Sequence, residues 1–166
     1  MKQVSNADKL FYFEKSFFTL DGLWMIETEN ETDWETALKI DLAVWIKMLN
    51  IIFHRLMKYL NLEGNTLKNL IEILTFRWSI EGWDYKLLKN EEKEASIRIL
   101  KCPYKNIMER NQKRQEKIPL ICKDMCIPFY KAIIEDFNPE IKVERNNFQG
   151  LGNEICDFSL KINGDL

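Results

Sequence analysis

The sequence predicts an α+β fold, a helical N-terminal half packed on an antiparallel sheet built from two hairpins, and three observations predict it. Apolar residues recur at helical spacing as far as Trp78. Two later stretches, Trp83–Lys101 and Ile141–Ile162, alternate approximately and fold back about a polar or glycine-bearing turn. A second helical stretch separates them, so the order is helices, hairpin, helices, hairpin. No repeat, low-complexity tract or linker divides the 166 residues, and residues 1–166 are expected to form a single domain.

Taken in order, Asn6 to Leu20 places Leu10, Phe11, Phe13, Phe17 and Phe18 at helical spacing. Asp21-Gly22 is expected to interrupt that helix, with Leu23 to Glu29 adding a turn or two. Thr32-Asp33-Trp34-Glu35 has the capping-box pattern, in which the Thr32 hydroxyl accepts from the Glu35 amide. The helix it starts meets no Gly or Pro before about Leu60. Asn61 to Gly64 reads as a turn, and Thr66 to Trp78 as a helix with Leu67, Leu70, Ile71 and Leu74 on one face. Trp83–Lys89 and Ala95–Lys101 flank the turn Asn90–Lys93, with Ile97 and Ile99 on one face and Arg98 on the other. Pro103 suits the first position of a helix reaching about Gln112, followed by a charged loop to Lys117. Ile118 to Phe137 is expected to be helical but broken near Pro128, which has no amide proton to donate. Ile141–Phe148 and Glu154–Ile162 form the second hairpin, around Gln149-Gly150-Leu151-Gly152-Asn153.

Composition removes several function classes. An apolar fraction of 46% excludes a disordered chain, and 24 basic against 26 acidic residues argue against a large nucleic-acid footprint. The short clusters Lys86–Lys89 and Lys113–Lys117 read as solvated surface. Met1-Lys2-Gln3-Val4-Ser5 shows no basic-then-apolar leader. The densest apolar run, Ile46 to Leu60, carries Lys47, Asn50, His54, Arg55 and Lys58, so no membrane partner is expected. A cytoplasmic location with reduced thiols follows.

His54 is the only histidine, so sites built from two or three imidazoles are impossible. Its place between Phe53 and Arg55 suggests partial burial against the core, with a catalytic base as the alternative. The four cysteines are Cys102, Cys122, Cys126 and Cys156. Cys122 and Cys126 share a face of a continuous helix, but the pair alone is a weak metal signal, and core packing is the simpler reading. Arg145, in a strand pattern near the glycine-bearing turn, has the fork that suits a substrate carboxylate; a solvent-facing partner for Glu144 is the alternative. The five tryptophans are expected mostly in the core, or lining an apolar ligand pocket.

Cys102-Pro103, Ile121-Cys122-Lys123-Asp124, Phe129-Tyr130, Asn138-Pro139-Glu140-Ile141, Glu144-Arg145 and Gly152-Asn153-Glu154-Ile155-Cys156-Asp157-Phe158 together resemble the L-2-amino-thiazoline-4-carboxylic acid hydrolase family. Asp21-Gly22-Leu23-Trp24 and Asp41 to Trp45 look like the helical region of a related uncharacterised bacterial and archaeal family. The resemblance implies a hydrolase acting on a C=N or amide-like bond of a small carboxylate-bearing heterocycle. Arg145 would hold the carboxylate, Asp124 would be the acid or base, and Cys122 and Cys156 would line the site. The same ladder distantly resembles the vinyl-4-reductase-type ligand-binding domains, which share an architecture with vesicle-transport particle subunits. That resemblance implies a zinc ion on Cys122, Glu144 and Cys156, although Asn147 stands where a further cysteine is expected; no other cofactor is read. Three readings follow: the hydrolase, a non-catalytic small-ligand-binding or sensor module with an apolar pocket, and a subunit-like scaffold marked by a large apolar patch. A homodimer is an expectation by analogy with related folds.

Overall fold

The computed structural model describes residues 3–162, so Met1 and Lys2 of the leader reading lie outside the described residues. The chain divides into two compact units, Met1–Ala43 and Val44–Leu166.

The first unit holds helix α1 (Asn6–Glu31) and the beginning of α2 (Trp34–Tyr59). Ser5 and Asp8 close a capping box at the start of α1, each side chain taking the other's backbone amide. The expected break at Asp21-Gly22 does not occur. A glycine costs a helix only about 1 kcal/mol relative to alanine, and nothing else at this position stops it. The expected cap at Thr32 is also displaced by one residue. Thr32 Oγ1 donates to the Thr28 carbonyl (2.6 Å) and closes α1, while Asp33 receives the Thr36 amide (2.8 Å) and opens α2.

Asp41 is a buried acid in this unit, 9% exposed. Burial, with repulsion from the Asp21 carboxylate, pushes its pKa up to about 7. The folded form therefore keeps a proton that the unfolded chain releases near pH 4. Stability contributed by this group is present below about pH 4 and falls as pH rises toward 7. Asp41→Asn should raise unfolding free energy by about 2–4 kcal/mol at pH 8 and change it little at pH 4. Urea unfolding at the two pH values measures this; equal effects at both would overturn the assignment.

The second unit carries the rest of α2, then α3 (Leu67–Glu81), β1 (Asp84–Asn90), β2 (Glu94–Lys101), α4 (Pro103–Glu109), α5 (Gln112–Gln115) and α6 (Ile118–Leu120). A π-helical turn over Ile121–Cys126, α7 (Ile127–Phe137), β3 (Ile141–Glu144), a 3-10 turn over Gln149–Leu151 and β4 (Cys156–Ile162) complete it. Thr66 caps α3 by accepting the Asn69 amide, and Gly82, at φ 78°, ends it in the left-handed conformation. The four strands form one antiparallel sheet in the order β1-β2-β4-β3, so the two hairpins join through β2 and β4. Ala95, Ile97 and Ile99 lie opposite Leu160, Phe158 and Cys156, all six buried on one face. Arg98 opposite Asp157 falls on the other face, as the alternation requires.

Helix α3 packs on β1, β2 and β4, and α7 on β3. Trp78 of α3 meets Phe158 of β4 at 5.2 Å between ring centroids, and Tyr130 of α7 meets the same ring at 4.7 Å. Asn50 ties α2 to Asp136 of α7 (2.7 Å), and Asn65 and Asn138 each donate across to the other's segment. His54 is exposed rather than set against the core: it neighbours Phe53, but only Phe53 lies on the buried stripe. The charged loop after α4 takes up a short helical turn, α5. The break expected near Pro128 takes the form of the π turn over Ile121–Cys126: the chain stays helical through it, and Pro128 sits in the first turn of α7. Among the described residues no helix is long and apolar enough to cross a membrane.

Candidate functional site

The four thiols and Arg145 belong to one region of the second unit. Arg145 follows β3, and its guanidinium lies over three rings, Phe158 at 4.0 Å, Phe148 at 4.5 Å and Tyr130 at 5.1 Å from the centroids. Its Nε donates to the Asp157 carbonyl and its Nη1 to Cys126 Sγ, both at 3.1 Å. Cys126 comes from the end of the π turn, one turn beyond Cys122. Cys156 opens β4 and accepts the Gln149 amide at 3.2 Å.

Gly150 sets how closely the 3-10 turn approaches the π turn. A Cβ there would stand 2.2 Å from Cys122 Sγ and 2.9 Å from Ile118 Cγ2, so only glycine fits. Gln149 fastens the same turn by donating to the carbonyls of Leu100 (2.8 Å) and Glu154 (3.0 Å). Asp157 organises the chain between β3 and β4 by accepting both the Asn146 and Asn147 amides at 2.8 Å and Asn147 Nδ2 at 2.9 Å. Burial alone would raise the Asp157 pKa, but these donors outweigh it and hold it below the usual carboxylate value.

Burial pushes the Cys102 thiol up to about 12 and Cys122 up to about 11, and the neighbouring thiols add to both shifts. Cys156 is raised by burial as well. At neutral pH these groups hold their protons, which makes them poor nucleophiles. Among the described residues no set of three or more His, Cys, Asp and Glu side chains is arranged to hold a metal. Of the zinc set that the resemblance implies, Cys122 and Cys156 lie in this cluster, and Glu144 is exposed.

Of the residues singled out from sequence, Cys122, Cys156 and Arg145 fall in this cluster, while Asp124 is exposed on the π turn. Three contributors escaped sequence reading: Cys126 as the partner of Arg145, Gln149 and Asp157. The position of Asp157 between two buried strand residues gave the one signal, since a carboxylate there faces the opposite side of the sheet.

A second buried charge lies between the helices and the sheet. Arg77 of α3 pairs with Glu81 at 2.6 Å, and its guanidinium lies 5.7 Å from the Trp45 ring and 6.0 Å from the Phe129 ring. Trp83 Nε1 donates to the other oxygen of Glu81 (3.0 Å), and Trp78 Nε1 to the Tyr130 hydroxyl (3.0 Å). The rings of Trp45, Trp78, Trp83, Tyr104, Phe129 and Tyr130 contact one another at 4.9–6.2 Å. They occupy this interface with each other.

A helix-backed antiparallel sheet with a buried arginine–thiol cluster defines a small α+β domain. Residues 3–147 match a family of unknown function, DUF6125, and the chain belongs to that family. No curated protein matches it. Among solved structures it is similar to a trafficking protein particle complex subunit 3 from Naegleria fowleri, a protein described as covalently bound to palmitic acid. That likeness has a TM-score of 0.60 at 14% identity and covers 92% of this chain and 96% of the other, and it is one of fold.

Proposed function

We propose that this chain is a non-catalytic assembly subunit that docks onto another protein through α1. One observation carries the proposal: Leu10, Phe11, Phe13, Leu20, Leu23 and Trp24 are all exposed along a single helix whose one buried residue is Met25. Contiguous apolar surface of this extent on a helix marks an interaction site. The fold neighbour, itself a complex subunit, agrees in kind. Lipid is a poorer occupant than protein. The polar positions of α1 carry Asp8, Glu14, Asp21, Glu27, Glu29 and Glu31 against only Lys9 and Lys15, and an anionic membrane surface repels that balance.

The site geometry favours this reading over the hydrolase and pocket readings. A hydrolase needs an acid or base beside its carboxylate anchor, yet Asp124 is exposed and Arg145 is committed to Asp157, Cys126 and three rings. An apolar ligand pocket needs space where the aromatic side chains instead meet each other. The palmitic acid of the neighbour belongs to that protein. Thiols held protonated by burial are ill suited to forming a thioester here.

The test is the native size of the tagged chain in extracts of its own cells. Wild type should migrate well above its 19.9 kDa monomer mass, and Phe13→Glu combined with Leu20→Glu should return it to monomer size. Wild type at monomer size in the extract would sink the reading. Turnover of a thiazoline carboxylate that depends on Asp124 would replace it with the hydrolase.

A further inference from the structure

Five of the exposed apolar residues of α1 are ordered. Leu10, Phe13, Phe17, Leu20 and Trp24 follow one another at intervals of three, four, three and four, the spacing with which one helix meets another along a knobs-into-holes seam. Leu10, Phe13, Leu20 and Trp24 are 61%, 66%, 66% and 58% exposed, and Phe17, at 37%, keeps part of its ring at the surface. The seam leaves roughly 500–600 Å² of side chain in water per copy, so a matched pair would remove roughly 1,000 Å², the lower limit for a specific interface.

The flanking charges choose the orientation. In a parallel pair, the position just before one knob faces the position five residues further along the partner helix. That sets Lys9 of each copy against Glu14 of the other, on both sides of the seam, and Ser16 against Asp21. In an antiparallel pair the same flank of each helix would meet itself, bringing Glu14 and Asp21 of one copy against Glu14 and Asp21 of the other. Opposite charges in the first case and like charges in the second discriminate between the two. We infer that the occupant of the α1 face is a second copy of this chain, paired in parallel through Leu10, Phe13, Phe17, Leu20 and Trp24. The inference rests on the assembly reading above and names its partner.

An interface near the lower size limit should have a dissociation constant on the order of 1–100 µM. Sedimentation equilibrium of the purified full chain, across that concentration range, reads it directly. Phe13→Glu with Leu20→Glu should weaken the dimer at least ~tenfold while far-ultraviolet circular dichroism shows the fold retained. The orientation has its own test in exposed residues that do not threaten folding. Lys9→Glu should weaken the dimer ~two- to fivefold, and adding Glu14→Lys should restore it. A purified chain that stays monomeric at ~200 µM would overturn the second-copy inference. The assembly reading would survive that result if the chain still ran large in cell extract. A dimer indifferent to the seam substitutions would overturn the interface, and one indifferent to the charge exchange would overturn the parallel register.

Discussion

Replacing Arg145 by alanine is expected to destabilise the second unit by about 3 kcal/mol, a large effect for one residue on a loop. The guanidinium fills the space among Phe158, Phe148 and Tyr130, satisfies the Asp157 carbonyl and donates to Cys126. Alanine removes the ring contacts, leaves a half-buried carbonyl without its donor, and opens a cavity walled by aromatic side chains. Lysine would keep the charge but lose the flat stacked surface and the fork, so an intermediate loss is expected. Urea unfolding measures all three proteins. A cost below about 1 kcal/mol for alanine would mean that the guanidinium is not committed to the fold, and would restore its candidacy as a carboxylate anchor.

Gly150→Ala should be comparably costly, about 2–4 kcal/mol, for the opposite reason. The new methyl would overlap Cys122 Sγ at 2.2 Å, and relief requires the 3-10 turn or the π turn to move. Both are fixed, the first by Gln149 and the second by the packing of α7. Shortening Cys122 to alanine removes the closest obstacle but leaves Ile118 Cγ2 at 2.9 Å, so the double variant should regain part of the loss. If Gly150→Ala with Cys122→Ala is no more stable than Gly150→Ala alone, the close approach is not what requires the glycine.

The two hairpins, α2 and α3 could be read from the sequence because their signals are local. Alternation in Ile97-Arg98-Ile99 reports which side of one strand is buried, and the Leu67–Leu74 stripe does the same for α3. The features that escaped depend on small energies or distant partners. Thr32 and Asp33 both carry capping oxygens, and only the path of the chain decides that the first closes one helix and the second opens the next. Gly22 weakens a helix by less than its neighbours strengthen it. The π turn changes the angular spacing between residues 121 and 126, so a face assigned at α-helical spacing leaves Asp124 exposed and brings Cys126 to Arg145. Sequence spacing could not show that Arg145 would be consumed by the rings around it.

The β2–β4 pairing, which joins the two hairpins, also sets the order in which this unit can fold. Each hairpin closes a short loop, whereas bringing Ile99 to Cys156 requires the whole intervening chain to be gathered first. Non-local pairings of this kind form late and slowly. The Cys102–Cys156 region therefore has no interior until the sheet closes. During synthesis its thiols remain open to solvent until β4 has emerged and found β2.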